Sequence, residues 1–285
     1  MTGLEVLKTG ALATVQDLGR PGLAALGVGR SGAADPAALR LGNRLLGNDE
    51  GAAGVEVTLG GLVVRAHEEV LVAITGAPCP ATVAGGQVGP NGPVRVPAGA
   101  ELRLGVPSTG VRTYLTVRGG IDVPAVLGSR STDTLAGLGP DVLAPGVELS
   151  VGAPPARHPL VDVAPVPDPP AGEVSLRVVR GPRDDWFTGA ALDRLTGSSY
   201  EVTADSDRVG MRLRGAVLER TRQGELPSEG MVAGALQVPP TGQPTLFLVD
   251  HPVTGGYPVV AVVVSADLGR AAQLRPGQRV RFREG

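Results

Sequence analysis

The stretch AELRLGVPSTGVRTYLTVRGG, residues 100–120, contains the pattern that decides the fold. Two runs rich in valine and leucine, 100–104 and 111–117, are separated by glycine, proline and serine, and the second run ends on a glycine pair. Short apolar runs bounded by such residues read as β-strands joined by tight turns. The pattern recurs outward on both sides: at 4–7, 55–58 and 69–74, and at 174–179, 235–238, 245–249 and 259–264. This spacing points to barrels or sandwiches rather than βαβ units. The expected class is mainly β, with a few short helices.

The clearest helix signal begins at Asp35. Aspartate is a good N-cap, Pro36 suits the first helical position, and Leu39, Gly42, Leu45 and Leu46 recur on one face. Gly47 and Asn48, which tolerate left-handed backbone, mark its end. Shorter helices are expected over 184–195 and 266–273. A proline-rich stretch, APPARHPLVDVAPVPDPPAG at 153–172, cannot enter a sheet interior and reads as a connection. The expected organisation is therefore a β-rich half at 1–155, a connection at 156–172 and a second β-rich half at 173–285.

Composition narrows the function. Hydrophobic residues are 42% of the 285 positions, enough to build a core even though 43 glycines and 26 prolines enforce many turns. Twenty-six basic and 28 acidic residues leave a net charge of −2, and aromatics are 2%. A nucleic-acid partner would need a basic stripe or stacking rings, so none is expected. Lys8 is the only lysine, which leaves no P-loop and one candidate for Schiff-base chemistry. The single cysteine, Cys79, lies between Pro78 and Pro80 and reads as a small buried residue in a reducing compartment. No window is apolar for long enough to span a bilayer, and Met1 leads into no signal-like stretch, so a soluble cytoplasmic protein is expected.

Motifs for self-sufficient catalysis are missing. There is no G-x-S-x-G, and His67, His158 and His251 stand in unrelated contexts, with His67 placed in a hairpin turn beside Glu68 and Glu69. No metal site is expected. GVGRSG at 27–32 matches G-x-G-x-x-G, but the preceding RPGLAAL is no buried strand, so a dinucleotide fold is rejected. A bent loop offering amides to an anion beside Arg30 remains open. Three glycine pairs stand out: Gly60–Gly61, Gly119–Gly120 and Gly255–Gly256. Each serves either a turn with positive φ or close approach to a substrate carbonyl. The polar neighbours are Arg118 and Asp122 at one pair, and Asp250, His251, Thr254 and Tyr257 at another. Polar runs also occur at 129–133 and 206–208.

Nine words in this chain have a family resemblance. They are TVQDLGRPG at 14–22, GVGRSGAAD at 27–35, LGNRLLGND at 41–49, VEVTLGG at 55–61, ITGAPC at 74–79, VRGGIDVPAVLGSRSTD at 117–133, SDRVGMRLRG at 206–215, GALQVPPTGQP at 234–244 and TGGYP at 254–258. In this order they resemble the C component of the bacterial 5-oxoprolinases. That group is also called KipA or allophanate hydrolase subunit 2, and is related to the carboxyltransferase part of urea carboxylase. The resemblance implies two cyclophilin-like β-barrel domains. It implies partners, a KipI-like B component and an A component, and ATP-dependent opening of 5-oxo-L-proline to L-glutamate, with ATP and magnesium shared in the complex. Two alternatives follow from the same resemblance: carboxyl transfer from carboxybiotin to urea or a similar amide, and a regulatory protein that binds a KipI-like kinase inhibitor. Pro252, Val253 and Met211 depart from the family pattern, which has Gln, Thr and Tyr at those places.

The catalytic candidates are Arg118, Asp122, Asp133, Arg208 and Asp250. The substrate-binding candidates are Arg30, Gly119, Gly120, Ser131, Gln237, Thr254, Gly255, Gly256 and Tyr257. Arginines would hold carboxylate or phosphate, and glycine amides would polarise a carbonyl. Asp35 reads first as a helix cap. Sheet edges in need of cover, together with the apolar segments PPTGQP at 239–244 and VVAVVVSA at 259–266, suggest oligomerisation and contact with a partner protein.

Overall fold

The computed structural model describes residues 3–156, 161–224 and 226–285. His158 and part of the proline-rich connection lie outside the described residues. The chain forms two compact units. The first contains residues up to Arg20, Ser31–Asp133 and Gly137–Pro169; the second contains Pro21–Arg30, Thr134–Ala136 and Pro170–Gly285.

Among the described residues the first unit holds eleven strands and one helix: β1 (Gly3–Thr9), β2 (Leu12–Gln16), α1 (Pro36–Leu45), β3 (Gly54–Thr58), β4 (Leu62–Ala66), β5 (Val70–Gly76), β6 (Ala81–Val83), β7 (Gly86–Val88), β8 (Pro93–Val96), β9 (Glu101–Leu104), β10 (Arg112–Val117) and β11 (Glu148–Ser150). They pair as two open sheets, β11-β1-β4-β9-β6-β7 and β2-β3-β10-β5-β8. Leu4, Val6, Val55, Val57, Val64, Ile74, Leu102 and Leu115 bury one continuous core contributed by both sheets. Each fully buried aliphatic side chain contributes about 1.5–3 kcal/mol.

All six residues of β10 are buried, because a second layer covers the face turned away from that core. The layer is α1, where Ala38 and Leu39 pack on Tyr114. Gly42 sets the approach: a Cβ there would stand 2.6 Å from the Thr116 hydroxyl. The turn at His67 is not the expected hairpin. β4 and β5 belong to different sheets, so the turn hands the chain from one to the other.

The second unit contains β12 (Val174–Arg180), α2 (Gly189–Gly197), β13 (Ser199–Val202), β14 (Gly210–Arg214), β15 (Glu229–Gly230), β16 (Ala235–Gln237), β17 (Thr245–Phe247), β18 (Thr254–Gly255), β19 (Val259–Val263), α3 (Leu268–Ala271) and β20 (Arg279–Glu284). Seven of the strands close a barrel in the order β12-β19-β16-β17-β14-β13-β20, and β15 pairs with β18 beside it. All barrel pairings are antiparallel except β12 with β20. Leu176, Tyr200, Leu213, Leu236, Leu246 and Phe282 fill the interior, with the Tyr200 and Phe282 rings 5.8 Å apart. Met211 is 2% exposed and sits opposite Leu246, an apolar place suited to a thioether.

The mainly β reading holds. Two further expectations are corrected. The helix over 184–195 is split into a 3-10 turn, Asp184–Trp186, and α2, because Phe187 is extended and buries its ring in the core while Thr188 caps α2. The apolar run at 259–266 offers no face to a partner protein over Val259–Val263. Those residues form β19, hydrogen-bonded on both sides, with Val259, Val260, Ala261 and Val263 buried.

Candidate active site

In the first unit the polar centre is Asp17, placed where β2 ends and the chain turns at Gly19 with φ 80°. The Ser129 and Ser131 hydroxyls both donate to Asp17 Oδ1 at 2.6 Å, as does the Gly19 amide at 2.7 Å; the Arg130 amide donates to Oδ2 at 2.6 Å. The Ser131 hydroxyl in turn accepts from the Asp17 amide at 2.9 Å. Arg20, 2% exposed, lies alongside. It donates to the Ser131 carbonyl and approaches Asp133 at 3.9 Å. Candidates Ser131 and Asp133 are thus brought together, both buried, around an aspartate and an arginine that sequence reasoning missed. The missed signal was DLGR directly after an alternating strand.

A second buried carboxylate, Glu56 on β3, accepts from the Tyr114 hydroxyl at 2.7 Å and the Ala34 amide at 2.9 Å, with Arg112 at 3.4 Å. Burial, reinforced by the negative charges of Glu56 and Asp35, pushes the Tyr114 hydroxyl well above its ordinary pKa, so it acts as a neutral donor. Asp35 caps α1 by accepting from the Ala38 amide at 3.2 Å, as its cap reading required. GVGRSG follows a 3-10 turn, Ala24–Leu26, in agreement with the rejection of a dinucleotide fold. Arg30 is exposed.

The other first-unit candidates do different work. Arg118 donates to the Leu46 carbonyl at 2.7 Å and to the Pro155 carbonyl, tying the end of α1 to the chain near the proline-rich segment. The Gly119 amide donates to Asn48 and the Gly120 amide to Val117, so neither is presented to a carbonyl ligand. Their positive φ values and the Gly152 oxygen 2.1 Å from a Cβ at Gly119 explain the glycines by backbone geometry. Asp122 is exposed and pairs with Arg130 at 2.9 Å. Cys79 is buried, and desolvation raises its thiol pKa, which opposes a nucleophilic role.

In the second unit Arg208 and Asp250, 2% and 1% exposed, form a two-point pair with Nε–Oδ2 2.9 Å and Nη2–Oδ1 3.1 Å. Asp250 Oδ2 also accepts the Thr134 amide at 3.1 Å and its hydroxyl at 2.7 Å. Gln237, 8% exposed, donates to the Tyr257 carbonyl at 3.2 Å. A Cβ at Gly255 would stand 2.7 Å from the Gln237 amide nitrogen, so this glycine admits the glutamine. Gly255 and Gly256 do not have positive φ. Thr254 is exposed on β18, and the Gly256 carbonyl accepts from the Leu226 amide. Gln237, Gly255, Gly256 and Tyr257 therefore cluster, and Arg208 and Asp250 are brought together as a buried pair.

No helix among the described residues is long and apolar enough to cross a membrane. These features define a mainly β protein that holds buried carboxylates with arginine and neutral donors. The same architecture occurs in the crystal structure of the Kluyveromyces lactis urea amidolyase, with a TM-score of 0.93 at 31% identity over 99% of this chain and 18% of that one.

The chain belongs to the carboxyltransferase domain family, subdomains A and B, which it matches over residues 26–284. It is 38% identical to the C component of the Escherichia coli 5-oxoprolinase over 98% of this chain and 90% of that protein. It is also 34% identical to urea amidolyase of Saccharomyces cerevisiae, covering 99% of this chain but only 16% of that one.

Proposed function

We propose that this chain is the C component of an ATP-dependent 5-oxoprolinase that converts 5-oxo-L-proline to L-glutamate together with the A and B components. The observation that carries the reading is the near end-to-end match to the E. coli protein, 98% of one chain against 90% of the other. The chemistry needs ATP because a lactam is a poor electrophile. Phosphorylating the ring amide oxygen activates the carbonyl carbon; water adds there, the ring C–N bond breaks to free the amine and leave an acyl phosphate, and a second water displaces phosphate to leave the carboxylate. Cys79 is buried with a raised thiol pKa, which disfavours it as a nucleophile. On this reading the chain is inactive alone and works in a cytoplasmic hetero-oligomer. Arg20 with Asp133 and Ser131, and Gln237 with Tyr257, are its candidate contacts to substrate or to the shared ATP and magnesium.

Reconstitution tests the proposal. The purified chain with the A and B components, ATP and 5-oxoproline should release glutamate, and omission of any one protein should abolish it. No glutamate from the folded, complete mixture would overturn the reading. A second reading, carboxyl transfer to urea or a similar amide from carboxybiotin, is favoured by the family match and the urea amidolyase relatives. Incorporation of labelled bicarbonate into product, dependent on a biotinylated partner, would favour it over the first.

A further inference from the structure

We propose that the groove beside Trp186 in the second unit binds a small oxyanion-bearing molecule through Arg220 and Arg222. The groove, of about 530 Å³, is lined by Leu218, Arg220, Arg222, Gly224 and Pro240, among others. That is the size range of small-molecule sites.

Backbone hydrogen bonds hold its wall in place. Phe187 bridges Arg220, the Thr221 amide donates to the Trp186 carbonyl at 2.7 Å, and the Thr188 amide donates to the Glu219 carbonyl at 3.3 Å. The guanidinium carbons of Arg220 and Arg222 each lie 5.8 Å from the Trp186 ring centroid. Both are within cation–π range of the indole.

The charge balance around these arginines is unequal. Arg222 pairs with Asp185 at 2.9 Å, and neighbouring Arg194 pairs with Glu219 at 3.2 Å. Arg220 donates Nη2 to the Gly224 carbonyl at 2.8 Å, and no carboxylate among the described residues pairs with it. Its Nη1 is buried and makes no hydrogen bond among the described residues. A buried charged donor without a hydrogen-bond partner is costly. A carboxylate or phosphate oxygen would satisfy it, and the planar fork of a guanidinium suits both anions. Two guanidiniums already lie against the Trp186 ring, which is itself 8% exposed, so the site would recognise its ligand by charge rather than by base stacking.

Trp186 is the only tryptophan in the chain, so its emission reports on this groove. The full chain is titrated with inorganic phosphate, ATP and L-glutamate, with sodium chloride at matched ionic strength as the control. A saturable emission change with phosphate or ATP assigns the oxyanion to a phosphate, and one with glutamate assigns it to a carboxylate. Either supports the site if Arg220→Gln weakens the dissociation constant at least about tenfold while Arg95→Gln leaves it unchanged. Should Arg220→Gln fail to fold, Arg222→Gln and calorimetric titration of the unmodified chain replace it. An identical change with chloride, or saturation unaffected by the arginine variants, overturns the proposal. No turnover is measured, so this outcome is independent of the 5-oxoprolinase reading.

Discussion

Asp17 in the first unit and Asp250 in the second are both buried aspartates, held in opposite ways. Asp250 faces a guanidinium through two hydrogen bonds and takes two more from Thr134. Asp17 has no cation within ion-pair distance among the described residues and is held by two hydroxyls and two backbone amides, all at 2.6–2.7 Å. Neutral donors fixed by the backbone stabilise a carboxylate only where the loop geometry is rigid, whereas a guanidinium carries the compensating charge itself. The Asp17 arrangement therefore ties function to the conformation of residues 129–131. The Asp250 arrangement ties it to the Arg208 guanidinium together with Thr134.

The largest effect is expected from unpairing Asp250. Arg208→Met should destabilise the chain by about 3–5 kcal/mol, because it leaves a buried carboxylate without its partner. The double variant Arg208→Met/Asp250→Leu should recover a substantial part of that loss, and denaturant melts of both variants measure the difference. Equal losses in the two would show that the charge pair is not what matters. Next comes Asp17→Asn. With its oxygen kept toward the three donors at Oδ1, the new amide nitrogen would face the Arg130 N–H, donor against donor. The expected loss is about 2–3 kcal/mol, and a change near zero would mean the loop adapts.

The smallest effect concerns Asp267, which pairs with the partly exposed Arg177 at 2.9 Å. The hydrogen bond from Arg177 holds its carboxyl below the ordinary value. Its stabilisation is complete above the unfolded carboxyl pKa of about 4. It is lost as pH falls through the lower folded value. Asp267→Asn should remove this contribution, under about 1 kcal/mol for so exposed a partner, and flatten the acid limb of a stability–pH curve.

Much of the scaffold was legible because its signals are local. Asp35 and Pro36 fix the start of α1 to the residue, and the runs at 100–104 and 111–117 match β9 and β10 to within one residue at the start of each. β6, β7 and β8 carried little signal, since strands of three or four residues show no period, and β7 and β8 also contain glycine or proline. β20 was readable but unread: Arg279, Arg281 and Arg283 alternate with the fully buried Val280 and Phe282. The candidate site was legible as residue types but not as partnerships. Arg208 and Asp250 stand 42 residues apart, and the antiparallel pairing of β14 with β17 brings them together. Asp17 escaped notice because its ligands are two serines and two main-chain amides, none of which has a sequence spacing diagnostic of a carboxylate nest. The glycine amides at 119 and 120 show the reverse error, since a pair suggestive of an oxyanion site is consumed by Asn48 and Val117.

The parallel pairing of β12 with β20 follows from parity. A ring of seven strands cannot alternate direction all the way round, so at least one neighbouring pair must run the same way, and here the first and last strands of the unit take that role. A same-direction pair cannot be joined by a hairpin, so the seam is sealed only when the entire intervening chain has been laid down. Until Arg279–Glu284 docks, β12 and β13 each present an unsatisfied edge, and the half-built ring is an open ribbon able to recruit a strand from another molecule. Synthesis and folding of this unit therefore share one vulnerable interval, which ends with the final strand.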